Sequence, residues 1–221
     1  MDNLILGDSS VVIKTFADEQ FDTVFTSPPY NRKRNDKYED FTDISDNYFN
    51  FLVESIEQCL RVCKGNVFYN LQKNFYNRVE IYKVFGHFAE RIIETIVWHK
   101  SNPMPNPHVI NSYEYILVLS NKNKSLKANK TYTKNHFSTA VYSENPYKKQ
   151  HRAVMNPKAV EYILKSFCKP NESVLDPFMG TGTTGVVCKQ FGMTFTGIEL
   201  VEEYYNISKQ QMSSYTQPFL L

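Results

Sequence analysis

The chain has 221 residues, 42% hydrophobic and 22% charged, which is the balance of an ordinary folded domain and excludes a disordered chain. The formal net charge is only +2, so overall charge does not argue for a polyanion partner; a nucleic-acid reading has to rest on local charge and on motifs. No basic stretch followed by an apolar run opens the sequence, and no apolar run is long enough for a bilayer, so the expectation is a soluble, cytoplasmic protein.

In chain order, Asn3–Leu6 (NLIL) reads as a short strand ending at Gly7-Asp8, and Ser10–Phe16 as one short helix. Phe21–Phe25 (FDTVF) is an apolar strand that runs directly into TSPPY. Residues 31–46 have almost no aliphatic content and dense charge of both signs, which predicts a mobile surface loop. Phe49, Leu52, Val53, Ile56 and Leu60 recur at helical spacing, so 47–63 should be a helix closed by Lys64-Gly65. A strand at Asn66–Leu71, a helix at Phe75–Phe88 and a hairpin made of Glu94–Lys100 and Glu114–Leu119 follow. Residues 121–150 are polar, rich in Lys and Asn and without sustained period, as in a linker or a small recognition insert. Pro157–Cys168 has a helical apolar face and a proline suited to the first turn. Strand Ser173–Leu175, helix Thr183–Phe191, strand Thr194–Ile198 and helix Glu202–Met212 complete the chain. Strands alternating with helices predict an α/β fold with a mixed, mostly parallel twisted sheet and helices on both faces. Of the four cysteines, Cys59 and Cys63 would share a helix face; no zinc spacing surrounds them, so they read as buried thiols.

Two stretches ask for chemistry. In SVLDPFMGTGTTG a strand enters Asp176, then a turn with Gly180 and Gly182, then a helix; the next strand ends in Glu199. That order is the mononucleotide-binding half of a doubly wound fold, with the terminal acid placed for ribose hydroxyls. No P-loop of the form G-x-x-x-x-G-K-S/T is present, and Asp176 at the strand end argues against an anion and for a cationic or amine-bearing ligand, so a nucleoside without a diphosphate is favoured. The plainer alternatives are that Asp176 caps a turn and that Glu199 is a solvated strand end. The second stretch is TSPPY: two prolines can neither donate to a sheet nor continue a helix, so it is a rigid lip at the end of a strand.

DPFMGTGTTG together with TSPPY resembles the amino-methylating DNA methyltransferases that use S-adenosylmethionine. The PPY motif precedes the Gly-rich motif, an order similar to the circularly permuted β group of that family, and the resemblance covers nearly the whole chain. It implies a Rossmann-like methyltransferase fold in a single catalytic domain over 1–221, with a target-recognition insert at about 121–150 and a flexible loop at about 31–46.

The resemblance assigns TSPPY to the target amine. An exocyclic amine conjugated to its ring is a poor nucleophile, and Ser27 Oγ and the Pro28 carbonyl would accept its hydrogens, pre-aimed because Pro28 and Pro29 fix the backbone. Tyr30 would stack on a flipped-out base. Asp176, Phe178, Gly180 and Gly182 would line the methionine end of S-adenosylmethionine, Glu199 would hold its ribose and Asp8 its adenine; Phe178 stays open between covering the cofactor and packing, and Thr183 between bonding the amino-acid moiety and capping the helix. His151 stays open between a cofactor contact and a structural role. Arg32, Lys33 and Arg34, tethered beside Tyr30, with Lys148 and Lys149, would contact DNA. Lys122, Lys124, Lys127, Lys130, Lys134 and Arg152 extend the basic insert.

Serine at position 27 and His151-Arg152-Ala153 before Pro157 are similar to cytosine-N4 enzymes, so cytosine N4 is the expected target. Adenine N6 stays open as the alternative, as does a non-catalytic DNA-binding partner subunit. Cytosine C5 chemistry needs a nucleophilic cysteine, in that family usually in a Pro-Cys pair, which this sequence lacks. The resemblance further implies a restriction-modification or phage role, with DNA as partner, a homodimer aiding a short insert, and a separately encoded endonuclease.

Overall fold

A computed structural model describes residues 2–31, 47–104, 111–122, 126–130, 133–140 and 154–214. Along them run β1 (Asn3–Leu6), α1 (Ser9–Val12), a 3-10 turn (Ile13–Thr15), β2 (Phe21–Thr26), α2 (Tyr48–Val62), β3 (Cys63–Leu71), α3 (Arg78–His87) and β4 (Ile92–Met104). Then come β5 (Asn111–Leu119), β6 (His136–Thr139), α4 (Pro157–Phe167), β7 (Ser173–Asp176), α5 (Thr183–Gln190), β8 (Thr194–Glu199) and α6 (Glu202–Ser214). The strands form one sheet in the order β1-β8-β7-β2-β3-β5-β4-β6. Every neighbouring pair is parallel except the two that involve β5, so β5 alone opposes the rest. Among the described residues no helix is long and apolar enough to cross a membrane.

The central strands are apolar on both sides over much of their length because both faces of the sheet are covered. Successive side chains point to opposite faces. Val24, Val67, Leu117 and Leu119 pack under α2 and α3 with Leu52, Ile56, Ile81 and Val84. Phe25, Phe68, Ile116, Val118 and Val174 pack on the other face with Val160, Ile163, Val187 and Met212 of α4, α5 and α6. The helix faces expected for 47–63 and 157–168 are the buried ones. Asn156 caps α4, accepting from Lys158 N–H, with Pro157 in the first turn as its locked φ favours.

Four expectations change. The 10–16 helix is a turn of α-helix followed by a 3-10 turn. Gly65 does not close α2: the helix ends at Val62 and the chain passes straight into β3, which puts Cys63 on a strand. Gly65 instead sits opposite Asp22, where the β2–β3 register shifts, and a Cβ there would lie 2.2 Å from the Asp22 carbonyl oxygen. The 75–88 helix starts at Arg78, because Asn74 and Asn77 first close a side-chain turn: Asn74 Oδ1 accepts from Tyr76 N and Asn77 N, and Asn77 Oδ1 from Asn74 N. Finally, the polar 121–150 stretch contains β6, a four-residue edge strand paired parallel to β4. It is anchored by Trp98 Nε1 donating to Thr139 Oγ1 at 2.9 Å and by Phe137 stacked on Tyr162. The 31–46 loop lies almost wholly outside the described residues. The four cysteines are free and buried, and burial pushes the Cys63 and Cys168 thiols up to about 12.

The topology fixes one special edge. From β7 the chain crosses α5 to β8 on one side; from β2 it crosses α2 to β3 on the other. β7 and β2 are neighbours, so the winding reverses between them, and the carboxyl ends of strands at such a point leave a crevice for ligands. Gly65→Ala should destabilise the fold by about 1–3 kcal/mol through the clash with Asp22. Gly86→Ala in α3, where a Cβ meets nothing within 4 Å, should be neutral or stabilising by up to about 1 kcal/mol. Urea unfolding of both variants checks the pair.

Candidate active site

β7 delivers the glycine turn to this edge. Met179 N donates to the Ile198 carbonyl at 3.0 Å and Gly182 N to the Met179 carbonyl at 2.9 Å, folding 176–182 over the ends of β7 and β8. Gly180 and Gly182 have φ of +54° and +88°, the left-handed region where a Cβ is penalised. A Cβ on Gly182 would also lie 2.8 Å from Ser208 Cβ of α6. Glu199 at the end of β8 braces the turn: one carboxylate oxygen accepts from Gly180 N at 2.9 Å, the other from Val201 N at 2.8 Å. Gly7 N donates to the Glu199 carbonyl, which sets Asp8 beside it. Asp8 is exposed and caps α1, accepting from Ser10 N at 2.8 Å.

Asp176 is 4% exposed and its carboxylate is engaged on three sides. Thr26 Oγ1 donates to Oδ1 at 2.7 Å, Phe178 N to Oδ1 at 3.1 Å, and Thr184 Oγ1 to Oδ2 at 2.6 Å. It therefore couples the last residue of β2 to the glycine turn and to the start of α5, where Thr183 is the first, buried residue. Burial pushes the Asp176 carboxyl up to about 6, the hydrogen bonds only partly offsetting it, and burial likewise raises Glu199.

Immediately after Thr26 comes the proline lip. Ser27 Oγ and Tyr30 Oη lie 2.5 Å apart. Tyr48 of α2 donates its hydroxyl to the Pro29 carbonyl at 2.7 Å. Asn74 Nδ2 and Asn77 Nδ2 both donate to the Tyr30 carbonyl, at 3.0 and 2.7 Å. Among the described residues no donor reaches the Pro28 carbonyl. Asn31 leaves the lip with φ +49°, which asparagine tolerates. A run of rings joins lip to turn: Tyr48 stacks on Phe51, and the Phe51 ring centroid is 5.8 Å from that of Phe178.

The fold thus brings together Ser27, Pro28, Pro29 and Tyr30 with Asp176, Phe178, Gly180, Gly182, Thr183, Glu199 and Asp8 along one edge. Arg32, Lys33, Arg34, Lys148, Lys149 and His151-Arg152-Ala153 lie outside the described residues. Lys122 is spent on an ion pair with Glu19. Lys130 and Lys134 line a depression beside β6, four strands from β2. Sequence reading missed Tyr48, Asn70, Asn74, Asn77 and Glu114. Asn70, fully buried on β3, donates Nδ2 to Ser27 Oγ, Tyr30 Oη and Glu114 Oε2 at 3.2, 3.1 and 2.6 Å. The available signal was polarity out of place: Asn70 interrupts the apolar run of β3, and Glu114 stands in that of β5.

Residues 21–210 match a protein-family model described as DNA methylase. The chain is 28% identical over 246 residues to the type II methyltransferase M.HinfI of Haemophilus influenzae, covering 96% of this chain and 68% of that protein. It is 26% identical over 242 residues to the type II methyltransferase M2.LlaDCHI of Lactococcus lactis subsp. cremoris, covering 95% and 88%. Among solved structures, PvuII DNA methyltransferase (cytosine-N4-specific) superposes with a TM-score of 0.80 at 18% identity, covering 96% of this chain and 87% of that one. The M1.HpyAVI-SAM complex superposes at 0.71 with 24% identity, covering 96% and 99%. At these identities the structural likeness establishes the fold.

An acid whose folded-state value is raised holds its proton more tightly in the fold than in the unfolded chain. Its contribution to stability is complete below the ordinary value of 3.8 and is lost as pH climbs through about 6. Asp176→Asn removes that dependence, so its melting temperature relative to the unmodified protein should rise with pH across this window. A difference independent of pH, measured by thermal melts, would contradict the raised value.

Proposed function

The chain belongs to the N6/N4 DNA methylase family, and from that premise we propose that it moves a methyl group from S-adenosylmethionine to the exocyclic N4 amine of cytosine in DNA. One observation carries the reading: the proline lip and the glycine turn leave adjacent parallel strands and are tied at their roots by the Thr26–Asp176 hydrogen bond of 2.7 Å. A base amine at the lip and a nucleoside at the turn would therefore meet in fixed array, where orientation alone supplies much of a rate enhancement.

The residues fit the cofactor. The Glu199 oxygens each accept one backbone N–H and keep capacity for the donors of a ribose. Asp8, next along the edge, suits the adenine amine. Phe178, Gly180, Gly182 and Thr183 would surround the methionine end, with Asp176 acting through the shape it imposes on that turn. When bound, S-adenosylmethionine supplies an electrophilic methyl group on a sulfonium sulfur.

The lip does the rest. Ser27 Oγ and the Pro28 carbonyl accept the two amine hydrogens and turn the nitrogen lone pair out of conjugation. The pinned Pro29 and Tyr30 carbonyls keep those acceptors from drifting. Tyr30 offers its ring to the flipped base. Arg32, Lys33, Arg34, Lys148 and Lys149 are assigned to phosphate contacts and 121–150 to target recognition, in one catalytic domain. Pairing of two subunits would enlarge so short an insert, and a separately encoded endonuclease would make the enzyme part of a modification system. Ser27 favours cytosine N4; adenine N6 is the second reading, because a hydroxyl and a carbonyl can receive either amine.

Incubation with labelled cofactor and DNA, followed by digestion to nucleosides, should yield N4-methylcytosine; N6-methyladenine alone would replace the base assignment. Ser27→Ala should lower kcat by roughly two to three orders of magnitude, as removal of a preorganised hydrogen-bonding group does, with cofactor affinity nearly intact by calorimetry. Glu199→Ala should mainly weaken cofactor binding, by roughly tenfold or more for a lost hydrogen bond to a charged group.

A further inference from the structure

Behind the lip lies a buried acid, ion-paired to a half-buried lysine, that the reaction described above does not use. Glu114 is 1% exposed on β5, and its Oε1 is held by Lys100 of β4. Asp176 and Glu114 are the two most deeply buried acids among the described residues. Taking a carboxylate out of water is costly unless it is paired and hydrogen-bonded. Asp176 reaches the root of the lip through Thr26; Glu114 reaches its working end through Asn70.

Asn70 has two N–H donors. One meets Glu114 Oε2 at 2.6 Å; the other is shared between Tyr30 Oη at 3.1 Å and Ser27 Oγ at 3.2 Å. Its own Oδ1 is buried with no hydrogen-bond partner among the described residues. A buried acceptor without a donor is unfavourable, and turning the amide over would bring that oxygen to the hydroxyls. Glu114 forbids the turn. A carboxylate paired with Lys100 can only accept, so the inverted amide would set oxygen against oxygen at hydrogen-bond distance.

We infer that Glu114, held by Lys100, is a positioning residue for amine methylation: it locks the Asn70 amide with its N–H side toward the lip, and Asn70 thereby holds Ser27 Oγ and Tyr30 Oη in the attitude that receives the target amine. This rests on the amine-methylation reading of the lip. Asn70 touches both lip hydroxyls; Glu114 acts only through Asn70. A misdirected acceptor pair costs turnover and leaves the glycine turn untouched.

The test uses the full chain with S-adenosylmethionine and DNA, measuring kcat, KM for DNA and cofactor affinity. Glu114→Gln keeps the shape but can present either an oxygen or an N–H to Asn70. It should lower kcat by roughly tenfold while cofactor affinity and KM stay within about twofold. In an Asn70→Ala background the same change should cost nothing further, since the link is already cut. Should Glu114→Gln fail to fold, Lys100→Gln serves instead, with a smaller fall in kcat at unchanged cofactor affinity. Unchanged kcat, losses that multiply in the double variant, or a parallel loss of cofactor affinity would overturn the inference. No methyl transfer by the unaltered protein would instead sink the function on which it stands.

Discussion

The hydrogen bond from Thr26 Oγ1 to Asp176 Oδ1 spans 2.7 Å between the carboxyl ends of β2 and β7, where the winding of the sheet reverses. Its two residues are remote in sequence and adjacent in the sheet. Everything chemical hangs from that junction. Beyond Thr26 the chain becomes the proline lip; beyond Asp176 it becomes the glycine turn. Because the carboxylate also receives Phe178 N–H and Thr184 Oγ1, a shift of one loop is felt by the other. The arrangement requires a charge out of water, and the upward displacement of the Asp176 carboxyl to about 6 records that cost.

The two loops solve opposite problems. The turn must bend tightly and let a ligand approach its backbone, so it uses glycines at positive φ, and at Gly182 the space for a side chain is filled by Ser208. On the proposed reading the lip must hold two acceptors still, which its prolines would do, and the carbonyls that the proposed chemistry does not need are pinned. Tyr48 takes that of Pro29, and Asn74 with Asn77 take that of Tyr30. The same two asparagines shorten α3 by closing a turn ahead of it, so local structure and site geometry there have one cause.

The antiparallel β4–β5 hairpin has a comparable double use. It extends the sheet beyond β3 and brings Glu114 two residues from the register partner of Asn70, onto the same face. A buried acid therefore stands on each side of the lip, one reaching it from β7 and one from β5, and each is satisfied chiefly by groups that belong to the site. In a sheet sealed on both faces by apolar helices, polar groups of this kind survive only where they are mutually bonded.

The sequence by itself determined the elements whose signal is local. Largely apolar runs such as NVFYNL and EYILVL mark strands, the spacing of Leu52, Ile56 and Leu60 marks a helix face, and Pro157 marks a helix start. It also gave the two motifs and their order, because glycines at positive φ and paired prolines are demanded by backbone sterics whatever surrounds them. Where the cause lay in a distant partner, the sequence was silent or misleading. Gly65 looked like a helix end but answers to the Asp22 carbonyl on another strand. The edge strand β6 exists because Trp98 and Tyr162 receive it. Asn70 and Glu114 stood out as polar residues in apolar runs, but nothing in the sequence told what each would bond. Local sterics are written one residue at a time, whereas hydrogen-bond partners across a sheet are set by strand order and register, which only the packed chain decides.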